Sequence, residues 1–326
     1  MSNRTPEVKR NQGWAKYLAV SATALLLAAC SSGLNTDVPT RAQDELAPQA
    51  SSCLNRRGTK IKLRNNQQGR VFNKHNAIVD GRGVTVRSNR VPLVANYNRG
   101  FLCISGGTYI TNARLSSSWH YTHPRSAFYF SGSQNITIEN VAVGVGGRVV
   151  GDGASFKQNN PNWVFRDSYV GRAGDDGVEN DRFSNGTVDN ILIDSAFTGL
   201  SCREERNSWT RKHSYNFNVK NSLVSLKGHS NDLFKVSIRT KKYCKLNLSN
   251  NVFYLPNRDA GKIERSVLNG GSCRNNTIVY TGGSKSYLNY LKRNSSGCFK
   301  VTTDKGVWEK ARADWFKRHS QFSKYR

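Results

Sequence analysis

The chain has few acidic residues. Its 326 residues hold 22 Asp and Glu against 49 Lys and Arg, which gives a formal net charge of +27. No long block of like charge accounts for the excess, because the basic residues are spread along the whole sequence. A dispersed positive charge of this size favours polyanionic partners, which outside the cytoplasm include acidic polysaccharide, teichoic acid, lipopolysaccharide and stray DNA.

Several signatures of catalysis are also missing. The sequence has no glycine-rich phosphate-binding loop, no nucleophile elbow and no cysteine–histidine pair. It therefore carries none of the usual motifs of nucleotide-dependent or nucleophilic enzymes, and no motif for specific nucleic-acid recognition. An apolar run at 17–27 is too short for a permanent membrane span.

Residues 1–29 have the pattern of an export signal. Four basic residues precede the apolar run, which ends in Leu27-Ala28-Ala29-Cys30. This ending resembles the bacterial lipobox, and the resemblance implies cleavage before Cys30 and lipidation of that residue; an ordinary secretory signal is the alternative. We therefore expect an extracytoplasmic protein of the cell envelope, anchored by lipid, on the outer membrane where the cell has one.

Residues 30–52 are expected to form a flexible tether, because this stretch is polar and has no apolar period. The ordered fold should then begin near residue 53. The even number of cysteines after position 30 permits disulfides in an exported chain, with fifteen possible pairings and no zinc-site spacing. These cysteines are Cys53, Cys103, Cys202, Cys244, Cys273 and Cys298.

From about residue 84 the sequence repeats a short β-branched or aromatic alternation around a polar turn residue. Successive turn residues are 24 to 29 positions apart, which is typical of a solenoid built from short strands. The turn positions are Ser88, Asn112, Asn140, Asp167, Ser195, Asn221, Asn250 and Asn275.

These features predict an all-β fold, a right-handed parallel β-helix of eight or nine coils over residues 53–302. The polar turn residues should form an internal ladder that satisfies backbone groups from coil to coil. Asp167 is accordingly assigned to structure. Over 303–326 the spacing of Val307, Ala311 and Trp315 predicts a helix that caps the last coils or packs along them.

Several motifs carry a family resemblance. Residues 76–86 (NAIVDGRGVTV) resemble the first coil of pectate-lyase-like β-helix proteins, and residues 176–181 (DGVEND) are similar to a pectate lyase phrase with one inserted residue. Gly174-Asp175-Asp176 resembles the G-D-D of polygalacturonases, although no N-T-D precedes it. A closer resemblance is to bacterial β-helix proteins of unestablished function that carry a D-D-x-I-E-N-D phrase. It covers most of 76–317 and implies the fold more firmly than a reaction.

Residues 174–182 (GDDGVENDR) hold four carboxylates in a chain poor in acids, with Arg172 just before them and Arg182 at their end. Like charges this close need a cation or a hydrogen-bond network. Residues one period apart lie on neighbouring coils, so one column is expected to carry Asp152, Asp176, Arg203 and His229.

Two reactions on an acidic polysaccharide fit this stretch. In the first, which we favour, the resemblance to pectate lyases implies Ca²⁺ held by Asp176, Glu179 and Asp181. A basic residue then removes the proton beside a uronate, and β-elimination follows. The candidate bases are Arg203, Lys235 and Arg239.

In the second reaction, two carboxyls are the acid and base of an inverting glycoside hydrolase. Asp175 with Asp176, or Asp152 with Asp176, would supply them, but adjacent coils place the latter pair too close. Glu179 or Asp181 would then be the partner. The catalytic candidates overall are Asp175, Asp176, Arg203, His229 and Lys235, and the substrate-binding candidates are Arg172, Arg182 and Arg239.

Two interpretations without catalysis remain open. The acidic stretch is also compatible with a structural staple, in which Ca²⁺ or arginines pin one coil, although we favour the site. The whole chain would then be a non-catalytic glycan-binding or adhesion lipoprotein, and we expect a monomer in either case. His120 and His123 fall in a loop-like stretch and predict no metal pair.

Overall fold

The structure is a computed structural model that describes residues 51–157, 160–180, 184–202, 214–227, 232–236, 244–256, 270–295 and 297–326. Within these residues the strands are β1 (Thr59–Lys62), β2 (Gly69–Phe72), β3 (His75–Asp80), β4 (Thr85–Ser88), β5 (Leu93–Asn96), β6 (Arg99–Ser105), β7 (Thr108–Thr111), β8 (Phe128–Ser131), β9 (Ile136–Glu139), β10 (Ala142–Val143), β11 (Ser155–Phe156), β12 (Trp163–Arg166), β13 (Tyr169–Val170), β14 (Ala173–Glu179), β15 (Gly186–Asp189), β16 (Leu192–Cys202), β17 (Tyr215–Lys220), β18 (Leu223–Leu226), β19 (Phe234–Val236), β20 (Cys244–Ser249), β21 (Val252–Leu255), β22 (Cys273–Arg274), β23 (Asn276–Tyr280) and β24 (Phe299–Thr302). The helices are α1 (Trp119–Thr122), α2 (Lys285–Asn294) and α3 (Lys305–Arg318), with 3-10 turns at Cys53–Asn55 and Ser320–Tyr325.

Parallel pairing between strands about one period apart builds an all-β, solenoid-like fold. One sheet has the strand order β1-β3-β6-β9-β12-β15-β17-β20-β22, and we call it sheet A. The other strands form two strips that β16 joins, because its two halves pair with different neighbours. Strip B is β2-β5-β8-β11-β14-β16-β19, and strip C is β4-β7-β10-β13-β16-β18-β21-β23-β24.

The core lies between these layers, as the alternating pattern predicts. Its side chains include a row of stacked aromatic rings, with Phe128 and Phe130 on β8, Phe156 on β11 and Trp163 on β12. The ring centroids of Phe156 and Trp163 are 3.8 Å apart, and the two ring planes are nearly parallel. A single coil cannot bury its apolar side chains by itself. Contacts between rings on neighbouring coils bury them and stabilise the stack of coils.

A column of left-handed turn residues follows sheet A. It contains the predicted positions Asn140, Asp167, Asn221, Asn250 and Asn275, all with positive φ. In the coil where we predicted Ser195, the turn residue is Asn190 (φ 55°), and Ser195 lies inside β16. The alternation around Ser195 belongs to one long strand, so that phrase of the repeat was placed wrongly.

The internal ladder lies one residue further along the chain than predicted. Asn276 accepts a hydrogen bond from the backbone N–H of Asn251, whose side chain accepts from the N–H of Ser222. These three side chains are buried. The turn column itself is bonded side chain to side chain, as where Asn190 donates to Asp167 at 2.7 Å, which agrees with a structural role for Asp167.

The C-terminal helix exists, but a capping role is not confirmed. Trp308, Trp315 and Phe316 of α3 pack in one cluster with strip C residues from several coils, among them Tyr169. The helix thus lies along the outside of strip C. The unpredicted helix α2 instead packs Leu291 against the main core.

Three disulfides select one of the fifteen pairings. They join Cys53 to Cys103, Cys202 to Cys244, and Cys273 to Cys298. The second encloses residues 203–243, which include several predicted site residues. Among the described residues, no helix combines the length and apolarity that crossing a bilayer requires.

Candidate active site

The acidic stretch forms β14, a strand whose residues are all buried. The connection 112–127, which includes α1, packs against it. A side chain at Gly174 would place its Cβ 2.7 Å from Thr122 Oγ1, so only glycine allows this close approach. The connection therefore shields carboxylates that the strand would otherwise expose.

Three carboxyls meet in one place, and we call Asp152, Asp175 and Asp176 the carboxyl triad. An oxygen from each lies within 4.8 Å of the others, and the three residues are 3%, 3% and 0% exposed. The register of β14 against β16 is irregular between Ala173 and Asp176. This irregularity interrupts the alternation of side chains and lets two consecutive aspartates approach Asp152.

Basic side chains form the outer layer of the site. Lys235 Nζ lies 3.1 Å from Asp176 Oδ2, and Lys157 Nζ lies 2.6 Å from Glu179 Oε1; each lysine side chain is 17% exposed. His123, whose side chain is 46% exposed, pairs through Nδ1 with Asp175 Oδ2. A ligand that approaches from solvent therefore meets these cations before it meets the triad.

Two serine hydroxyls link Asp152 to Glu179. Ser126 Oγ and Ser155 Oγ lie 2.5 and 2.6 Å from Asp152 Oδ2 and 2.8 Å from each other, and Ser155 Oγ is also 2.7 Å from Glu179 Oε2. Four short oxygen–oxygen contacts share two hydroxyl protons, and each hydroxyl donates only once. A proton on one carboxyl gives this network a third donor.

Asp152 is the carboxyl that carries it. Lys157 forms an ion pair with Glu179, whereas Asp152 has no ion pair among the described residues. Burial, reinforced by the charges of Glu179 and Asp175, raises the pKa of Asp152 to about 8. Ser126 and Ser155 thus connect Asp152 to Glu179 through hydrogen bonds.

Asp176 is the neighbour that is paired with a cation. Burial and the charge of Asp152 raise the pKa of Asp176 well above its usual range, and Lys235 opposes that rise. Because the two aspartates interact so closely, they titrate as a pair. With the proton on Asp152, the lysine fixes the charge on Asp176.

One buried polar atom beside the triad has no described hydrogen-bond partner. It is Oγ1 of Thr198, a fully buried residue that is the register partner of Asp176 on the next coil. Such atoms are normally satisfied in native proteins, so this one marks a place for an oxygen or nitrogen from elsewhere.

The structure unites part of the predicted site. Asp152, Asp175, Asp176, Glu179 and Lys235 come together, and Thr198 is the register partner of Asp176 on the next coil. The side chain of Arg172 is exposed and has no ion pair among the described residues. Outside the described residues lie Cys30, Asp181, Arg182, Arg203, His229 and Arg239.

Four members of the site were missed from the sequence, namely His123, Ser126, Ser155 and Lys157. Ser155 precedes its register partner Glu179 by 24 residues, one period of the repeat, and that spacing could have identified it. His123 is held by a long connection whose path no period predicts. The stretch around it forms a helical turn where we expected a loop.

The predicted calcium ligands do not form the group that the structure assembles. Glu179 is occupied by Lys157 and Ser155, and Asp181 is outside the described residues. The triad offers hard oxygen donors, but an ammonium group 3.1 Å from Asp176 disfavours a second cation there. The calcium set stays a prediction, and no step below depends on it.

Comparison of the chain with family models, with curated proteins and with solved structures finds no match. The resemblance to pectate-lyase-like proteins therefore remains a hypothesis from the motifs.

Proposed function

We propose that the chain cleaves glycosidic bonds in an acidic polysaccharide, with the carboxyl triad as the catalytic centre. The observation that carries this proposal is that two buried carboxyls with oxygens within 4.8 Å have unlike partners, serine hydroxyls at Asp152 and the Lys235 ammonium at Asp176. Two carboxyls held in different protonation states are what an acid and its partner need in glycoside cleavage.

In the proposed reaction Asp152 gives its proton to the glycosidic oxygen as the bond to the anomeric carbon breaks. Oxygens of the triad lie within 4.8 Å of one another, which leaves little room for a water between two carboxyls, so we propose attack by an oxygen of Asp176 on the anomeric carbon. Water then adds its hydroxyl to that carbon, releases Asp176 and returns a proton to Asp152. Ser126 and Ser155 hold the Asp152 side chain in place through its Oδ2.

The outer cations supply the preference for an acidic substrate. A uronate or sulfate group can pair with Lys235, Lys157 and His123, which already lie over the carboxyls. Lys227 adds a further positive charge near Asp175, although burial lowers the pKa of this lysine. The net charge of +27 favours the same class of ligand.

Elimination is less well supported than hydrolysis. It needs a neutral base, and an ion pair with a carboxylate, as Lys235 makes with Asp176, favours the charged form of a lysine. The other two proposed bases, Arg203 and Arg239, are outside the described residues.

The second candidate function is non-catalytic binding of acidic glycans. The burial of all four carboxyls favours it, because each is satisfied by a protein cation or hydroxyl. The cluster would then pin the connection 112–127 to strip B as a staple, and only the outer cations would meet the ligand.

We further propose that the solenoid has the right-handed sense of the superfamily that its motifs resemble. Under this proposal the export signal and Cys30 anchor it by lipid on the outside of the cell envelope. The tether would place the triad within reach of envelope or extracellular glycans.

The test uses pectate, alginate, hyaluronan and heparin-type glycans, with and without chelator. New reducing ends without an ultraviolet-absorbing unsaturated product indicate hydrolysis, and the absorbing product indicates elimination. We expect Asp176→Asn to abolish cleavage and retain binding, with Asp314→Asn on the exposed side of α3 as the control. No product from any glycan, together with retained binding, contradicts the enzyme and favours the second candidate.

A further inference from the structure

A second column of left-handed turns, at the end of strip B, contains an unusual residue. Asn73, Tyr97 and Gly132 follow β2, β5 and β8 and have φ of 53°, 55° and 65°. The column is aligned by backbone hydrogen bonds, as where Tyr97 N–H donates to Ser131 O at 2.8 Å. Asn and Gly adopt this conformation readily, whereas a tyrosine is strained in it.

Burial of the ring does not compensate this strain. Tyr97 is 59% exposed, more than any other large apolar side chain in the described residues. Its ring lies against Gly132, where a Cβ would come within 2.8 Å of Tyr97 Cδ1. The chain therefore keeps a flat aromatic face in solvent at a position where folding alone favours Asn or Gly, and such outliers suggest function.

Three cationic or basic side chains surround this ring. Lys74, His75 and Arg99 line, together with Tyr97, a cavity of about 480 Å³ that contains no acidic side chain. All three are exposed, and their side chains form no ion pair or hydrogen bond with the described residues. An aromatic face beside unpaired cations suits a ligand that has a flat apolar face and negative charge, such as an acidic sugar.

The position of the ring relates it to the carboxyl triad. Strands β5, β8, β11 and β14 are consecutive in strip B, so Tyr97 and Asp176 are three coil steps apart. At about 4.8 Å a step this is about 14 Å along the solenoid. The strand registers align Asp176 with Val91 on the coil of Tyr97, so Tyr97 also lies six residues, or about 20 Å, further along the strand direction. A chain of several sugar units is needed to span both. Lys157, which follows β11, lies between them.

We infer that Tyr97, with Lys74, His75 and Arg99, forms a distal subsite that binds an anionic sugar unit of the same glycan chain. The inference rests on the proposed function for its ligand. The subsite selects longer substrates, because only a chain that extends from the triad by several units reaches the ring. Single-stranded nucleic acid, which also stacks on exposed aromatic rings, is the competing ligand class.

The test compares Tyr97→Asn with Tyr97→Phe in the full chain. Asparagine removes the ring and fits the left-handed turn, so the variant should fold at least as stably as the parent; phenylalanine keeps the ring. We measure binding of long and short size-fractionated fragments of pectate, alginate, hyaluronan and heparin, and of a single-stranded oligonucleotide.

We expect Tyr97→Asn to weaken binding of long glycan fragments at least tenfold, to leave short fragments unchanged, and Tyr97→Phe to bind like the parent. Equal affinity of Tyr97→Asn and the parent for long fragments overturns the subsite, as does a loss confined to the oligonucleotide. Because binding is measured without turnover, an inactive triad with an intact ring-dependent affinity contradicts only the proposed reaction.

Discussion

The buried carboxyl of Asp152 makes the stability of the protein depend on pH. The folded state binds the Asp152 proton more tightly than the unfolded state does, because the pKa of this residue rises from 3.8 to about 8 on folding. The contribution of Asp152 to the free energy of unfolding is fully present below about pH 4 and is lost as the pH rises towards 8.

Asp152→Asn should therefore flatten the pH dependence of stability. We expect the free energy of unfolding of the parent to fall by about 2–5 kcal/mol between pH 4 and pH 8 through this residue, and the variant to lose most of that slope. Denaturant unfolding across this pH range measures it. Asp314→Asn is the control. Lys310 lowers the pKa of Asp314, so this residue titrates below the pH range of the experiment. An unchanged slope in Asp152→Asn would contradict the protonated state assigned here.

Lys235 compensates a fully buried charge. Its replacement by methionine leaves the Asp176 carboxylate without its cation, and we expect a loss of about 3–5 kcal/mol near neutral pH. Adding Asp176→Asn to Lys235→Met removes the orphaned charge and should restore most of the loss. Unfolding of the two single variants and the double variant measures this coupling. Additive single effects would show that the pair is not coupled.

At the residue scale, the spacing of residues in the sequence identified only part of the site. Asp152 and Asp176 were found because 24 residues separate them and one coil separates them in space. Ser126 and His123 belong to the connection 112–127, where no repeat fixes a register. Their contacts with Asp152 and Asp175 depend on the path of that connection, which local sequence does not determine.

Helix α3 is fixed to the solenoid by a few aromatic residues. Trp315 is fully buried, donates from Nε1 to Asn190 O at 3.2 Å and stacks on His319. Arg312 adds a bidentate ion pair with Asp194 of β16. The helix is therefore part of the packed fold.

Trp315→Ala should lower the free energy of unfolding by about 3–5 kcal/mol, because it removes a large buried side chain and a hydrogen bond. Lys310→Ala, on the exposed side of the same helix, should change it by less than about 0.5 kcal/mol. Denaturant unfolding followed by circular dichroism measures both. A Trp315→Ala variant as stable as the Lys310→Ala variant would mean that α3 contributes little.

At the element scale the sequence predicted strands and one helix for clear physical reasons. Alternation of apolar residues predicts the strands, and the four-residue spacing of Val307, Ala311 and Trp315 predicts α3. The long strand β16 was divided wrongly, because its alternation continues through the place where other coils turn. The position of α3 along strip C could not be predicted, because helical spacing gives a buried face and not its partner.

The whole molecule carries a charge that should govern its affinity for polyanions. We expect binding to an acidic glycan to weaken at least tenfold when the ionic strength rises from about 0.05 to about 0.5 M, because the screening length falls from about 14 to about 4 Å. Titrations at several salt concentrations measure this. A neutral glycan such as dextran is the control, and salt-independent binding of the acidic glycan would show that charge does not select the ligand.

The open edge of β1, the first strand of sheet A, affects how copies of the molecule associate. Among the described residues, β1 pairs with β3 on one side only, and Lys60 and Lys62 on it are exposed. A parallel sheet that ends in an open strand is a template on which another chain can add, as in fibril growth. Two lysines on four residues make that addition repulsive between identical chains, so the solenoid resists end-to-end polymerisation at this end.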